Sequence, residues 1–154
     1  MINIVLIEPR IPQNTGNIGR LCVGGNAILH LIHPLGFSLS EKAIRRSGLD
    51  YWQHLHKYEW ASLQDFWERN PITTQHFFLT TKSKTPYYQA CFGDECFLYF
   101  GREDAGIDEM ILDSNPNQTL TIPMSSKARS LNLATSVGIV LYEALRQNPW
   151  YRFD

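Results

Sequence analysis

The sequence has no apolar run of membrane-spanning length, no C-x-x-C pair, no glycine-rich phosphate loop and no excess of either charge. Each absence removes a class of protein. A bilayer span needs about 20 consecutive apolar residues, and none is present. Met1-Ile-Asn-Ile opens like a strand and not like a basic signal peptide, so a cytoplasmic protein is expected. Cys22, Cys91 and Cys96 are an odd, scattered set; they suit buried thiols better than a metal site or a disulfide framework. Neither G-x-G-x-x-G after the first strand nor a Walker A loop occurs, which disfavours dinucleotide and nucleoside triphosphate binding. The net charge of −1 means that any nucleic-acid contact must come from a local basic patch.

What is present is a globular composition, 44% apolar and 19% charged over 154 residues, enough for one domain (residues 1–154) with a real core. Ile2-Asn-Ile-Val-Leu-Ile7 is a near-continuous apolar strand of the kind buried on both faces of a parallel sheet. Pro9 and Pro12 end it, and Asn14 or Thr15 is expected to cap a helix over 16–24. Further strands are expected over 27–32, 55–58, 76–80, 96–100 and 119–122, with short helices over 40–46 and 108–113. Ser62-Leu-Gln-Asp65 reads as a capped helix start. In the last helix Leu133, Val137, Val140, Leu141, Ala144 and Leu145 share one face. Strands alternating with helices predict an α/β fold, a mostly parallel sheet with helices on both faces.

Three polar clusters follow strands: Pro12-Gln-Asn-Thr-Gly-Asn-Ile-Gly-Arg20, Phe100-Gly-Arg-Glu-Asp-Ala-Gly-Ile107, and the loop holding Lys127, Arg129, Ser130 and Asn132. Backbone N–H groups at a strand-to-helix junction make a ligand cradle. Singly, each cluster reads as a turn or a helix cap; together they read as one composite site. Histidines 30, 33, 54, 56 and 76 have no nearby carboxylate or cysteine in sequence and read as ordinary surface or core residues. Lys42, Arg45, Arg46 and Lys57, with Tyr51 and Trp52 beside them, form the one basic and aromatic cluster suited to a single-stranded RNA loop, or else a solvated helix face.

Asn14-Thr-Gly-Asn-Ile-Gly-Arg20, Phe100-Gly-x-Glu-x-x-Gly-Ile107 and Ile122-Pro-Met…Ser130-Leu-Asn-Leu133 with Tyr142-Glu143 resemble the three motifs of the SPOUT superfamily of RNA methyltransferases. Ile7-Glu-Pro-x-Ile-Pro-Gln-Asn14, Pro34-Leu-Gly-Phe37 and Arg45-Arg-Ser-Gly-Leu-Asp-Tyr51 are similar to its minimal, TrmL-type branch, which 2′-O-methylates the tRNA wobble nucleotide. Ala134 departs from that pattern, standing where the family often has serine. The resemblance implies a C-terminal trefoil knot and S-adenosyl-L-methionine held by Leu79, Gly101, Ile122, Ser130 and Leu131. It implies Arg20 as the activating residue, with Asn14, Glu103 and Asn132 orienting it and the ribose. A guanidinium is a poor proton acceptor, so Arg20 is expected to stabilise a developing alkoxide while a phosphate oxygen or water takes the proton. No metal is needed. The implied partners are a tRNA anticodon stem-loop, reached through Lys42, Arg45, Arg46 and Tyr142, and a second copy of the chain docked along the last helix. Competing readings are a methyltransferase for another tRNA or rRNA position, and a non-catalytic RNA-binding or assembly protein with a vestigial cofactor site.

Overall fold

The computed structural model describes residues 1–40, 42, 44, 46 and 50–149. Strands β1 (Ile2–Ile7), β2 (Ile28–Ile32), β3 (Lys57–Trp60), β4 (His76–Leu79), β5 (Cys96–Phe100) and β6 (Thr119–Leu120) pair in the order β3-β2-β1-β5-β4-β6. Every one of these pairings is parallel. The described helices are α1 (Pro12–Gly24), α2 (Leu63–Arg69), α3 (Glu109–Ser114) and α4 (Leu133–Gln147), with 3₁₀ turns at Trp52–His54, Tyr87–Gln89 and Pro116–Gln118 and with Lys42, Ile44 and Arg46 also helical.

β1 is buried along its whole length because it lies in mid-sheet with helices over both faces. Side chains alternate along a strand. Ile2, Ile4 and Leu6 therefore join one core with Ile18 and Cys22 of α1 and with Val137, Val140, Leu141, Ala144 and Leu145 of α4. Val5 and Ile7 join the other, with Phe66 of α2, Leu112 of α3, Phe78 and Tyr99. The expected α/β class holds, and the sheet is wholly parallel.

Several boundaries differ from expectation. α1 starts at Pro12 and not Gly16, and Ile11 stands at its N-cap without a side-chain cap bond, so Asn14 and Thr15 lie inside the first turn. Proline suits that first position, since its φ is preset and it has no N–H to leave unpaired. The third strand runs over Lys57–Trp60, in register with β2, while His54 falls in a 3₁₀ turn (Trp52–His54) off the strand. Ser62 does cap α2, accepting from the Asp65 N–H at 3.1 Å. Of the cysteines, Cys22 and Cys96 are buried but Cys91 is exposed. Arg45, and part of the short basic helix expected over 40–46, lie outside the described residues.

The second core holds two hydrogen-bonded histidines among its aromatic rings. Trp60 Nε1–H can only donate and does so to His30 Nδ1 at 3.1 Å, so His30 Nε2–H donates to Asn3 Oδ1 at 2.9 Å. Trp67 Nε1–H donates to the Tyr99 hydroxyl at 2.9 Å, leaving that hydroxyl to donate to His76 Nδ1 at 2.7 Å. Both imidazoles are thus neutral, and burial lowers each to about 4. A histidine whose folded value lies below its unfolded one stabilises the fold above the unfolded value, and that stability is lost as pH falls toward the folded value. The melting temperature should therefore drop from about pH 6.5 to about pH 5, with a shallower slope in His30→Phe. Thermal unfolding followed by circular dichroism checks this; a flat profile over that range would contradict it.

Candidate active site

The chain builds β1, β2 and β3 outward in one direction, then β5, β4 and β6 in the other, so the strand order reverses between β1 and β5. Loops leaving two such neighbours diverge and open a crevice at the carboxyl ends of the strands. That crevice is a cavity of about 500 Å³, within the range of small-molecule sites. Ile11 and Asn14 line it from the start of α1, Leu79 to Lys82 after β4, Phe100 to Ile107 after β5, and Thr121, Ile122, Met124 and Ser130 to Leu133 on the approach to α4.

Glu103 holds the crevice together. Its carboxylate accepts from the backbone N–H of Arg10 at 3.0 Å and of Ile11 at 2.8 Å. It thereby ties down the two residues that lead into α1, at the helix end where negative charge is favoured. Partial burial raises the Glu103 carboxyl above its usual value, against the lowering effect of those two bonds. Gly101 allows the loop to fold back on itself: a Cβ there would lie 2.1 Å from the Gly106 carbonyl carbon. Gly106 in turn has a φ of +69°, a conformation few other residues adopt.

Asn132 joins the third motif to the first. Its Oδ1 accepts from the Thr135 N–H at 3.2 Å, capping α4, which leaves its Nδ2 to donate to Asn14 Oδ1 at 3.0 Å. Asn14 is buried behind this bond. Leu79, Ile122 and Leu131 give the cavity apolar wall, and the exposed Ser130 adds a hydroxyl.

Asn14, Glu103, Asn132, Leu79, Gly101, Ile122, Ser130 and Leu131 thus come together around one cavity. Arg20 does not join them. Six residues beyond Asn14, it sits about 120° round the helix and lines a second, shallower depression of about 590 Å³ between α1 and α4. Tyr142 and Ala134 line that depression too, so the departure at Ala134 falls away from the first cavity. Gly138 faces Leu21 of the chain's own α1, 3.6 Å from a Cβ built there. Lys42 and Arg46 are exposed and line neither depression. Sequence reasoning missed Thr80, Thr81 and Met124; the Thr-Thr pair directly after a buried strand was the available signal for the first two. It also missed that Tyr51 and Trp52 already have cations of the chain itself over their rings, Arg20 and Lys57 respectively.

Residues 1–142 match the SpoU rRNA Methylase family model. The chain belongs to that family. It is 43% identical over 153 residues to the tRNA (cytidine(34)-2'-O)-methyltransferase of Yersinia pestis, covering 96% of this chain and 94% of the other. The protein of the same name from Aeromonas hydrophila is 42% identical over 148 residues, with the same coverage. Among solved structures, one described as "Structural insights into the 2-OH methylation of C/U34 on tRNA" superimposes with a TM-score of 0.92 at 41% identity, over 97% of each chain. An AdoMet-bound rRNA methyltransferase from Sinorhizobium meliloti shares the fold, with a TM-score of 0.83 at 23% identity, over 94% of this chain and 56% of that one.

Among the described residues no helix is long and apolar enough to cross a membrane, and no group of three or more His, Cys, Asp and Glu residues could hold a metal ion. The Glu103 bonds yield a stability prediction. Glu103→Ala strands two backbone N–H groups and should cost about 1–3 kcal/mol, whereas Glu103→Gln keeps one acceptor and should cost less. Urea unfolding measures both; equal losses would show that the acceptor itself is unimportant.

Proposed function

We propose that this chain is an S-adenosyl-L-methionine-dependent methyltransferase acting on the 2′-hydroxyl of the tRNA wobble nucleotide, a cytidine or modified uridine at position 34. The convergence of Asn14, Leu79, Gly101, Ile122 and Ser130 to Asn132 on one cavity, in a chain about 40% identical to enzymes named for that reaction, carries the reading. The cavity suits the cofactor: its size is that of a small-molecule site, Leu79, Ile122 and Leu131 offer apolar wall, and the close-packed loop at Gly101 lets main chain approach. Bound there, S-adenosylmethionine supplies a sulfonium methyl group. A ribose hydroxyl that accepts this methyl must lose its proton, which a phosphate oxygen or water would take. Arg20 stabilises the charge developing on that oxygen. Asn14 and Asn132 fix α1 against the cofactor loop, and Glu103 holds the start of α1 in place.

Residues 1–154 form one such methyltransferase domain, working in the cytoplasm. Its knot would arise between β6 and α4: β6 is the outer strand beyond β4, yet Asn132 reaches Asn14 of α1. The connection therefore passes the carboxyl ends of β4 and β5, where a threaded loop would lie.

A second copy of the chain packs on the apolar side of the depression between α1 and α4, leaving Arg20 open at its rim. Leu21, Val23, Gly24, Ile139 and Tyr142 give that depression an apolar lining, and Tyr142 is 49% exposed. Two-fold docking there also joins the basic surfaces of two small protomers, Lys42, Arg45 and Arg46 of each, around one anticodon stem-loop.

Two outcomes follow. Arg20→Ala should leave S-adenosylhomocysteine affinity by calorimetry unchanged and slow methyl transfer to a tRNA transcript by at least about a hundredfold. Arg20→Lys should recover little, since an ammonium lacks the planar fork. Light scattering at micromolar concentration should give a dimer mass that Tyr142→Glu reduces; a fully active monomer would refute the assembly.

A further inference from the structure

Arg20 is exposed and its side chain is long, yet it is held. Its Nη2–H donates to the Tyr51 hydroxyl at 3.0 Å, and its guanidinium carbon lies 4.6 Å from the centroid of the same ring. An arginine stacked on an aromatic face and bonded at one corner loses most of its rotamer freedom. Tyr51 is itself anchored. It stands at the N-cap of the 3₁₀ turn Trp52–His54, whose His54 N–H donates to its carbonyl at 2.9 Å. That turn locks against α1 at Gly19, the residue before Arg20. A Cβ on Gly19 would lie 2.9 Å from Trp52 Cζ3 and 3.1 Å from Leu55 Cδ2, so only glycine lets the turn sit this close. Leu55 is buried and Trp52 half-buried in this contact.

The choice of partner matters chemically. Among the described residues no carboxylate pairs with Arg20. A carboxylate would orient the guanidinium and cancel its charge, whereas a neutral phenol orients it and leaves the charge whole. Among the described residues one of its five N–H groups and one face of the plane are used, which leaves the other N–H donors for substrate oxygen.

We propose that Tyr51 is the positioning residue for Arg20, fixing the guanidinium by stacking and one hydrogen bond without neutralising it, and that Gly19 exists to bring Tyr51 there. This rests on the catalytic reading of Arg20 given above. It also assigns Tyr51 to the chain's own arginine and not to a stacked RNA base.

The test uses the full chain with a tRNA transcript under single-turnover conditions, in a double-mutant cycle. Tyr51→Phe keeps the ring and should slow methyl transfer about tenfold, and Tyr51→Leu about a hundredfold, the scale of losing a hydrogen bond to a charged group and then the stacking as well. Neither should change the melting temperature, the S-adenosylhomocysteine affinity or the tRNA affinity. In an Arg20→Ala background neither should cause any further loss, since Tyr51 then has nothing to position. Gly19→Ala should behave like Tyr51→Leu. A second readout needs neither RNA nor cofactor: the Arg20 Nε–Hε resonance should be sharp in the wild type and broadened in Tyr51→Leu. A Tyr51→Leu defect that persists in Arg20→Ala, or one that appears as weaker tRNA binding, would overturn the proposal in favour of direct RNA contact. An unchanged Arg20 resonance in Tyr51→Leu would overturn it too. Full activity in Arg20→Ala would instead refute the catalytic reading of Arg20, and with it the role drawn for Tyr51. A normal Arg20→Ala loss beside an inert Tyr51→Leu would refute the Tyr51 inference alone.

Discussion

A parallel sheet whose strand order reverses between β1 and β5 must part its loops at that point, and the gap leaves backbone N–H groups at the start of α1 without partners. The Glu103 carboxylate, arriving from the far side of the gap, accepts from both Arg10 and Ile11. The contact is costly in desolvation, as the raised Glu103 carboxyl shows, and useful for where it falls. It joins the ends of the two strands whose separation makes the cavity. The rest of the site hangs on α1, so the angle at which α1 leaves β1 sets the position of Asn14 on one side and of Arg20 on another.

Polar groups in the two halves of the site are used differently. In the first cavity they are bound to each other: Asn132 caps α4 and reaches Asn14, while Glu103 is occupied by main chain. These bonds give the cavity its shape, and the rest of its lining is loop backbone, apolar wall and the Ser130 hydroxyl. In the second depression the charge of Arg20 is oriented by a phenol and, among the described residues, is not paired with a carboxylate. Polar groups bonded to one another shape the first cavity, and a single hydrogen bond with a ring contact orients Arg20 in the second. One helix presents both because residues 14 and 20 fall on different sides of a 3.6-residue turn.

Much of this was legible from residues alone, for identifiable reasons. An unbroken apolar run such as Ile2–Ile7 has few fates other than a central strand, and the period of Val137, Val140, Leu141, Ala144 and Leu145 fits only a helix buried on one side. The composite site was visible as three polar clusters after strands. Where the reading slipped, a distant contact outweighed a local preference. Asn14 looked like a cap because asparagine often is one; the helix instead begins at Pro12, and Asn14 Oδ1 accepts from Asn132, 118 residues away. A strand was expected over 55–58, but the register with β2 starts it at Lys57.

Strand and helix identity and the parallel class were determined by the sequence itself, because burial period acts over a few residues. Only the tertiary structure decided that Arg20 lines a separate depression from Asn14, that Tyr51 holds it, and that His30 and His76 are hydrogen-bonded inside an aromatic core. Each of these depends on which elements pack together across tens of residues, as when Gly19 admits Trp52 against α1, and no spacing along the chain encodes a contact of that kind.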